Sequence, residues 1–223
     1  MLIPVEDIKK ILDEKKINIT GVLHLGAHEC EELEIYNKLG IKDDDVIWID
    51  AIDEKVELAK TKGVKNIYKA VITDVDNNNV WFNHANNGQS SSVLELDTHL
   101  QEHPWVHYTK RTLETTITID TFLKKNNLYY NKYNFWNFDI QGAELLALKG
   151  ARKALLYAKV LYLEVNTDYL YKDCALMTEI DEFVKPYGFS RVLTNITKHK
   201  WGDALYIKDC NDINIKIFEN SYC

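Results

Sequence analysis

The chain alternates short, mainly apolar runs with segments whose apolar residues recur at helical spacing. The runs Val22–Leu25 and 45–50 are each typical of a strand that is covered on both faces. Between them, Leu33 and Tyr36 fit one face of a helix that begins near Glu29. Strands that alternate with helices in this way favour a mainly parallel, doubly wound sheet in an α/β fold.

The same alternation continues along the chain. We predict further helices at 1–19, 53–62, 143–157 and 175–187, and further strands at 66–73, 80–83, 115–119, 133–139, 159–165, 189–195 and 201–208. No internal repeat and no Gly-, Ser- or Pro-rich linker divides the sequence, so we expect a single domain over 1–223. The N-terminal helix, 1–19, is expected to cover a sheet edge, and the last two strands are expected to pair antiparallel.

The turn after the first strand narrows the class of ligand. Gly26 permits a tight turn and the close approach of a ligand to bare backbone, which is how nucleotides are seated on open parallel sheets. A dinucleotide site wants several glycines and a helix start that welcomes pyrophosphate, but here Glu29, Glu31 and Glu32 crowd the first turn. S-adenosylmethionine carries an ammonium and a sulfonium and no phosphate, so this turn favours a methyl donor over NAD.

Acidic residues stand at the ends of three other predicted strands. Asp50 ends the second strand about 20 residues past the glycine turn, where a carboxylate meets ribose hydroxyls; alternatively, it caps the next helix. Asp139 and Glu164 end two later strands. Ligands bind beyond the carboxyl ends of the strands in a doubly wound sheet, so these residues are candidates for one site.

Two polar segments have competing interpretations. Segment 86–92 is rich in amide and hydroxyl groups and fits either a surface loop or a contact to the cofactor's methionine end or to a polar acceptor. His99, His103 and His107 are spaced as a helical stripe of metal ligands would be. Pro104 argues against one uninterrupted helix, and no carboxylate or Cys nearby completes a metal set. We therefore do not expect a metal at these histidines.

Composition excludes several classes of protein. The 223 residues suffice for one domain with a full core, and 46% hydrophobic residues describe a soluble globular chain. A formal charge of −7 argues against broad nucleic-acid binding.

Cysteine usage and the absence of apolar stretches predict the compartment. Cys30, Cys174, Cys210 and Cys223 are widely spaced without a CxxC motif, which favours free thiols in a reduced compartment over a disulfide framework or a zinc site. Charged residues occupy the region where a signal peptide would need an apolar run, and no segment approaches about 20 apolar residues. We expect a cytoplasmic protein without a membrane span.

Three stretches, 22–32, 116–123 and 138–151, resemble the FkbM family of S-adenosylmethionine-dependent methyltransferases, and the likeness extends over about 20–208. The third, which reads Phe-Asp-Ile-Gln-Gly-Ala-Glu and continues through Leu-Lys-Gly-Ala, is the most specific. The chain departs from the family pattern at four places. His24 replaces a common acidic residue, Cys30 or Glu31 replaces a second glycine, Gln141 replaces the usual Glu, and Asp50-Ala replaces the usual Glu-Pro.

The resemblance implies a Rossmann-like, seven-stranded sheet with a reversed last strand. It also implies O-methylation of a hydroxyl, commonly on sugars or on glycosylated and polyketide-type products. Carried over by position, the turn at Gly26 lines the donor, Asp50 holds its ribose, and Asp139, Gln141 and Glu144 face the reacting centre. The predicted cofactor-binding residues are Gly26, Ala27, His28, Glu31, Asp50, Ala51, Ala70, Val71, Ser91, Asp139 and Gln141, with Ala70 and Val71 flanking the adenine.

Methyl transfer requires an aligned acceptor oxygen and a group that takes its proton. Asp139 is the leading candidate for the base, with Glu144 and Glu164 as the other catalytic candidates. Asp139 and Glu164 also suit Mg²⁺ or Mn²⁺ held against a vicinal diol. Alternatively, Glu144 caps a helix and Glu164 bonds to backbone. His84 and His199 are weaker candidate bases, and the possible sugar platforms are Trp81, Trp105, Trp136 and Trp201.

Two rival functions remain at this stage. One is an NAD(P)-dependent sugar oxidoreductase or epimerase, against which the acidic, glycine-poor turn and the absence of a Tyr-x-x-x-Lys pair both argue. The other is a non-catalytic domain of the same fold that binds a partner. The acceptor is expected to be a small molecule or a glycan rather than a nucleic acid, while its identity and the oligomeric state are left open.

Overall fold

The computed structural model describes residues 1–209. The prediction of free thiols at Cys210 and Cys223 lies outside the described residues. The helices are α1 Val5–Glu14, α2 Leu33–Lys38, α3 Asp53–Thr61, α4 His99–Glu102, α5 Ile119–Lys125, α6 Glu144–Lys149 and α7 Met177–Val184. The strands are β1 Val22–Leu25, β2 Val46–Asp50, β3 Ile67–Lys69, β4 Val71–Ile72, β5 Asn79–Ala85, β6 Tyr108–Ile117, β7 Phe135–Phe138, β8 Val160–Asn166, β9 Phe189–Ile196 and β10 Trp201–Lys208.

Seven strands form the main sheet in the order β3-β2-β1-β7-β8-β10-β9. The five strands from β3 to β8 in this order are parallel, whereas β10 runs antiparallel to both β8 and β9. The mixed α/β fold, its mostly parallel Rossmann-like sheet and the C-terminal antiparallel pair are therefore as predicted.

The central strands of the sheet are buried on both faces, which explains their mostly apolar composition. Leu23 and Leu25 of β1 belong to one apolar cluster, and Val22 belongs to the cluster on the other face. Ile8 and Leu12 of α1 join the second cluster, so the N-terminal helix buries its apolar stripe against the sheet. Within residues 1–209, no helix combines the length and apolar character needed to cross a membrane.

Strand register brings the predicted site residues to one edge. Leu25 of β1 pairs with Ile49 of β2 and with Phe138 of β7, and Phe138 pairs in turn with Leu163 of β8. The residues that follow these four positions are Gly26, Asp50, Asp139 and Glu164. Parallel strands in this register place all four residues at the carboxyl edge of the sheet.

A second sheet differs from the predicted pattern. The segment 66–73 forms two strands rather than one, because β3 pairs with β2 while β4 leaves the main sheet and pairs with β6. Strand β6 is ten residues long, and it also pairs antiparallel with β5. The resulting sheet has the order β4-β6-β5.

Helical structure at 143–157 and around the three histidines is short. The prediction for 143–157 was wrong beyond Lys149, because the Asp120 carboxylate accepts hydrogen bonds from the Lys153 and Ala154 amides at 2.9 and 2.8 Å and a separate 3₁₀ turn follows. Helix α4 spans only four residues, so His99 and His107 do not share a helix. This agrees with the argument from Pro104.

Candidate functional site

A cavity of about 590 Å³ opens at the carboxyl edge of the sheet, a size suited to a small ligand. Ala27 and Glu144 do not line it: the Ala27 side chain packs in an apolar cluster, and Glu144 is buried behind the turn that follows β7. The other predicted site residues do, and they are Gly26, His28, Glu31, Asp50, Ala51, Ala70, Val71, Ser91, Asp139, Gln141 and Glu164.

Gly26 is required by the backbone of the neighbouring strand. Its φ of +85° is unfavourable for any residue with a side chain, and an added Cβ would lie 1.8 Å from the Asp139 carbonyl oxygen. The Gly26 and Ala27 amides both donate to the Ile49 carbonyl, at 2.9 and 3.1 Å. The sequence interpretation was that Gly26 admits a ligand, whereas the contact seen in the structure is with the end of β7.

A buried polar chain beneath this turn explains why histidine occupies position 24. Asn137 Nδ2 donates to the Tyr36 hydroxyl at 2.6 Å, and that hydroxyl donates to His24 Nδ1 at 2.7 Å. His24 Nε2 then donates to the Gly26 carbonyl at 3.2 Å. Burial lowers the pKa of His24 from 6.5 to about 4, so the ring is neutral and holds the turn through hydrogen bonds.

The lowered pKa of His24 predicts a loss of stability on acidification. The unfolded chain binds a proton on this ring below about pH 6.5, and the folded chain does so only below about pH 4. The free energy of unfolding should therefore fall between these pH values, by about 3 kcal/mol for this group. Urea unfolding across the window should show a smaller fall for His24→Gln, with exposed His107→Gln retaining the wild-type pH dependence. An equal fall in His24→Gln and the wild type would contradict the assignment.

Asp50 combines a structural contact with access to the cavity. Its carboxylate accepts hydrogen bonds from the His28 amide and from the Ile52 amide, each at 2.8 Å. Burial raises the pKa of Asp50, and these two hydrogen bonds oppose the rise. A carboxylate offers about four lone-pair positions, so two amides leave capacity for ribose hydroxyls. Asp50 therefore fixes the backbone just before α3 without capping that helix, and the ribose role stays a prediction.

His28 is held by charged partners on both ring nitrogens. Lys55 Nζ lies 2.9 Å from His28 Nε2, and because an ammonium can only donate, Nε2 accepts. Nδ1 therefore carries the proton and donates to Glu31 at 2.8 Å. These contacts fix the tautomer and the orientation of a ring that lines the cavity at a backbone φ of +43°.

Gln141 joins two carboxyl groups at the end of β7 and β8. Its Nε2 donates to Asp139 Oδ1 at 2.7 Å and to Glu164 Oε2 at 2.8 Å, while its Oε1 accepts from the Tyr171 hydroxyl. Burial raises the pKa of Glu164 well above its ordinary value, and the nearby carboxyl groups of Asp139 and Glu144 raise it further. Glu164 is therefore protonated, while Asp139 is the exposed member of the pair.

Glu144 supports this arrangement from behind rather than facing the reacting centre as the resemblance implied. Its Oε1 accepts from the Ile140 amide at 2.8 Å and from the Gly142 amide at 3.3 Å. Burial raises the pKa of Glu144 to about 8. These bonds fix the turn in which Gln141 and Gly142 both have positive φ. Glu144 is therefore a positioning residue, and this role resembles the alternative prediction that it caps a helix.

The suggested divalent ion gains no support from the donor set. In the described part of the chain, His, Cys, Asp and Glu side chains form no group of three or more that could hold a metal ion. One oxygen of Asp139 and one of Glu164 each accept a hydrogen bond from the Gln141 amide. Cys30 and Cys174, the two cysteines that the structure describes, are buried free thiols.

The charged residues of the cavity wall are of one sign. No Lys or Arg is among the described residues that line the cavity. Its acidic lining residues are Glu31, Glu32, Asp50, Asp139 and Glu164. Such a wall suits a ligand with positive charge and disfavours one with phosphates.

The remaining wall was largely missed by sequence reasoning. His99, His103 and Tyr171 line the cavity, as do Trp105 and Trp201, the two of the proposed sugar platforms that do so. The Tyr171 wall carries no local motif, because it follows β8 in an irregular segment. Of the other suggested platforms, Trp136 is buried in the core and Trp81 is exposed away from the cavity.

The two alternative bases lie elsewhere in the structure. His84 Nε2 contacts the Thr112 hydroxyl at 2.9 Å, and His199 Nδ1 contacts Glu102 at 2.7 Å. Neither histidine lines the cavity, so Asp139 remains the candidate base.

Solved structures with a similar chain path share little sequence with this protein. One is magnesium protoporphyrin IX methyltransferase from Synechocystis PCC 6803 with bound S-adenosylmethionine, at 12% identity and a TM-score of 0.46 over 92% of this chain and 78% of that chain. Another is a SAM-dependent methyltransferase from Aquifex aeolicus, at 13% identity and a TM-score of 0.40 over 93% of this chain and 100% of that chain. A comparison with curated protein sequences finds no match.

The family comparison is decisive because it covers most of the chain. The sequence profile of the methyltransferase FkbM domain matches residues 31–191, which include β2, β7 and β8 with Asp50, Asp139 and Glu164 at their ends. The chain therefore belongs to the FkbM methyltransferase family.

Proposed function

We propose that this protein transfers the methyl group of S-adenosylmethionine to a hydroxyl oxygen of a sugar or glycan, with Asp139 as the general base. The observation that carries the proposal is the cavity wall, whose charged groups are acidic and which presents an exposed Asp139 beside a protonated Glu164. Membership of a methyltransferase family supports the reaction type.

The donor fits the acidic half of the cavity. Its ammonium and sulfonium are attracted by carboxylates such as Asp50 and Glu31, whereas the phosphates of NAD(P) would be repelled. In this proposal Asp50 binds the ribose and Ala70 and Val71 contact the adenine; all three residues line the cavity. The same charges argue against the oxidoreductase alternative.

The carboxyl pair divides two tasks between its members. S-adenosylmethionine supplies a methyl carbon that its positively charged sulfur activates for in-line displacement. Asp139 accepts the hydrogen bond of the acceptor hydroxyl and takes its proton as the oxygen attacks. Glu164, which keeps its own proton, adds no second negative charge, and Gln141 holds the two carboxyl groups in register.

The aromatic residues of the cavity wall favour a carbohydrate acceptor. Trp105 is 63% exposed although it lines the cavity, and Trp201 lines the same space. Exposed indole faces beside polar side chains suit sugar rings, which present apolar C–H faces and hydroxyl edges. Small-molecule or glycan acceptors are therefore preferred over nucleic acid, for which the acidic wall is unsuited.

Donor binding provides the first test. A ligand that binds only the folded state stabilises it by about 2.7 kcal/mol at 100 times its Kd, so S-adenosylhomocysteine should raise Tm clearly and NADH should not. Mass spectrometry of a sugar library incubated with enzyme and isotope-labelled donor should then reveal a methylated product. Stabilisation by NADH alone would contradict the proposed donor, and donor binding without any methylated product would favour a non-catalytic partner-binding domain.

A further inference from the structure

The backbone around Gln141, in the turn after β7, is fixed by three hydrogen bonds. The amides on either side of it, those of Ile140 and Gly142, donate to the Glu144 carboxyl group at 2.8 and 3.3 Å. The Gln141 carbonyl accepts from the Ser92 hydroxyl at 2.8 Å. Because the backbone is held, the freedom left to Gln141 is in its side chain, whose terminal amide has two opposite orientations.

The orientation of this amide decides what the carboxyl pair receives. Nε2 carries two protons, and it donates to Asp139 Oδ1 at 2.7 Å and to Glu164 Oε2 at 2.8 Å. A reversed amide would present Oε1 to the same two groups, and a carbonyl oxygen has no proton to donate. Since hydrogen bonds to the charged form of a carboxyl group favour that form, the observed orientation stabilises the Asp139 carboxylate.

Tyr171 selects this orientation from the opposite wall of the cavity. Its hydroxyl donates to Gln141 Oε1. A phenol can donate to an amide oxygen but not to an amide nitrogen, so a reversed amide would lose this bond as well. The Tyr171 ring cannot follow such a reversal easily, because it is 2% exposed and lies against Gly142, where an added Cβ would be 3.2 Å from Tyr171 Cδ2.

We propose that Tyr171 is a positioning residue for methyl transfer, which directs both Nε2 protons of Gln141 to the carboxyl pair and so keeps Asp139 ionised as the base. The inference rests on the proposed function for the role of Asp139. Tyr171 takes no proton from the acceptor in this proposal, and it acts on Asp139 through the Gln141 amide.

Other titratable groups surround the carboxyl pair and Tyr171, and replacement of Tyr171 by Phe leaves all of them in place. Around the pair they are Glu144 from α6, Asp203 of β10, which pairs with Glu164 of β8, and the neutral His24 of β1. Beside Tyr171 they are His99 and Tyr108, and across the cavity they are His28, Glu31, Glu32, Asp50 and His103. A pH effect of Tyr171→Phe therefore reports on the lost hydroxyl group.

The acid side of the pH profile of kcat/KM tests this contact. Without the phenol proton the Gln141 amide is free to reverse, and the Asp139 carboxylate then loses a donor. Tyr171→Phe should therefore move the acidic limb to higher pH by about one pH unit, while Phe keeps the ring that packs against Gly142. Tyr129→Phe removes the same group from a residue that is 77% exposed, and it should leave the profile unchanged. An unmoved acidic limb in Tyr171→Phe overturns the inference.

A double-mutant cycle distinguishes action through the amide from a separate effect on the fold. Gln141→Met removes the amide group and should move the acidic limb at least as far as Tyr171→Phe does. Adding Tyr171→Phe to Gln141→Met should then cause no further shift, because the residue through which Tyr171 acts is already gone. Additive shifts would mean that Tyr171 acts independently of Gln141, and the inference would be wrong.

The same contact is tested without any acceptor by carbon-13 spectra of the Asp139 carboxyl group, recorded against pH for the full chain. The midpoint of the change in chemical shift should lie at higher pH in Tyr171→Phe than in the wild type. Equal midpoints overturn this inference whatever the enzyme methylates. Wild-type turnover in Asp139→Asn overturns the proposed function instead, so the two failures are distinguishable.

Discussion

Replacement of Asp139 by Asn is expected to lower kcat by about 10²- to 10⁴-fold, the usual contribution of a positioned general base. Asn retains the size of the side chain and an oxygen that can accept from Gln141 Nε2, so the turn after β7 should keep its geometry. What the variant loses is the negative charge that takes the acceptor proton. Steady-state methyl transfer, together with the Kd for S-adenosylhomocysteine, measures this effect.

Two matched variants distinguish the loss of the base from the loss of any other carboxyl group. Glu164→Gln replaces a protonated carboxyl group by a neutral group of the same shape, so the expected loss of kcat is within about tenfold, far smaller than that of Asp139→Asn. Asp13→Asn also removes a carboxylate, one that is exposed and, within residues 1–209, forms its ion pair with Lys9 at 3.2 Å; this variant should leave kcat unchanged.

The relative order of the two losses carries the assignment. A larger loss in Glu164→Gln than in Asp139→Asn would make Glu164 the base. The assignment of the proton to Glu164 would then be wrong. An Asp139→Asn enzyme with wild-type turnover would remove this residue from the reaction altogether.

The central sheet was predictable because its signal is local. Strands such as Val22–Leu25 and Phe135–Phe138 are mostly apolar, since both faces are buried, and each carries a single polar residue, His24 or Asn137. Strand Tyr108–Ile117 was missed over most of its length because its exposed and half-buried residues are largely polar. Its extended form depends on pairing with β4 and β5, which no local pattern encodes.

The site was predictable to the extent that it depends on topology. Residues that follow parallel strands meet at one sheet edge, so Asp50, Asp139 and Glu164 could be grouped before the structure was known. The opposite wall depends on tertiary contacts instead: the His99 amide donates to the Leu170 carbonyl at 3.2 Å, which brings α4 beside the segment after β8. The hydrogen bonds from the Gln141 amide to Asp139 and Glu164 could likewise not be predicted from the sequence, because they need both neighbouring strands in place.

Replacement of Gly26 by Ala is expected to destabilise the fold by about 3 kcal/mol or more. Two costs add: the positive φ of +85° strains any residue with a Cβ, and that Cβ would lie 1.8 Å from the Asp139 carbonyl oxygen. The carbonyl belongs to the backbone and cannot rotate away as a side chain could. Relief of the collision therefore requires β1 and the end of β7 to separate, which also displaces the proposed base.

Gly40→Ala isolates the first of these costs, the backbone strain. Gly40 has a similar φ of +82°, but an added Cβ there would meet no atom of the described chain, residues 1–209, within 4 Å. This variant should lose only the strain, about 1 kcal/mol, and should keep wild-type kcat. Urea unfolding of both variants measures the difference, which is the free energy of the backbone collision. Equal destabilisation of the two variants would mean that the backbone at Asp139 moves away at little cost. The inference that Gly26 and the carboxyl pair are held in a rigid arrangement would then be wrong.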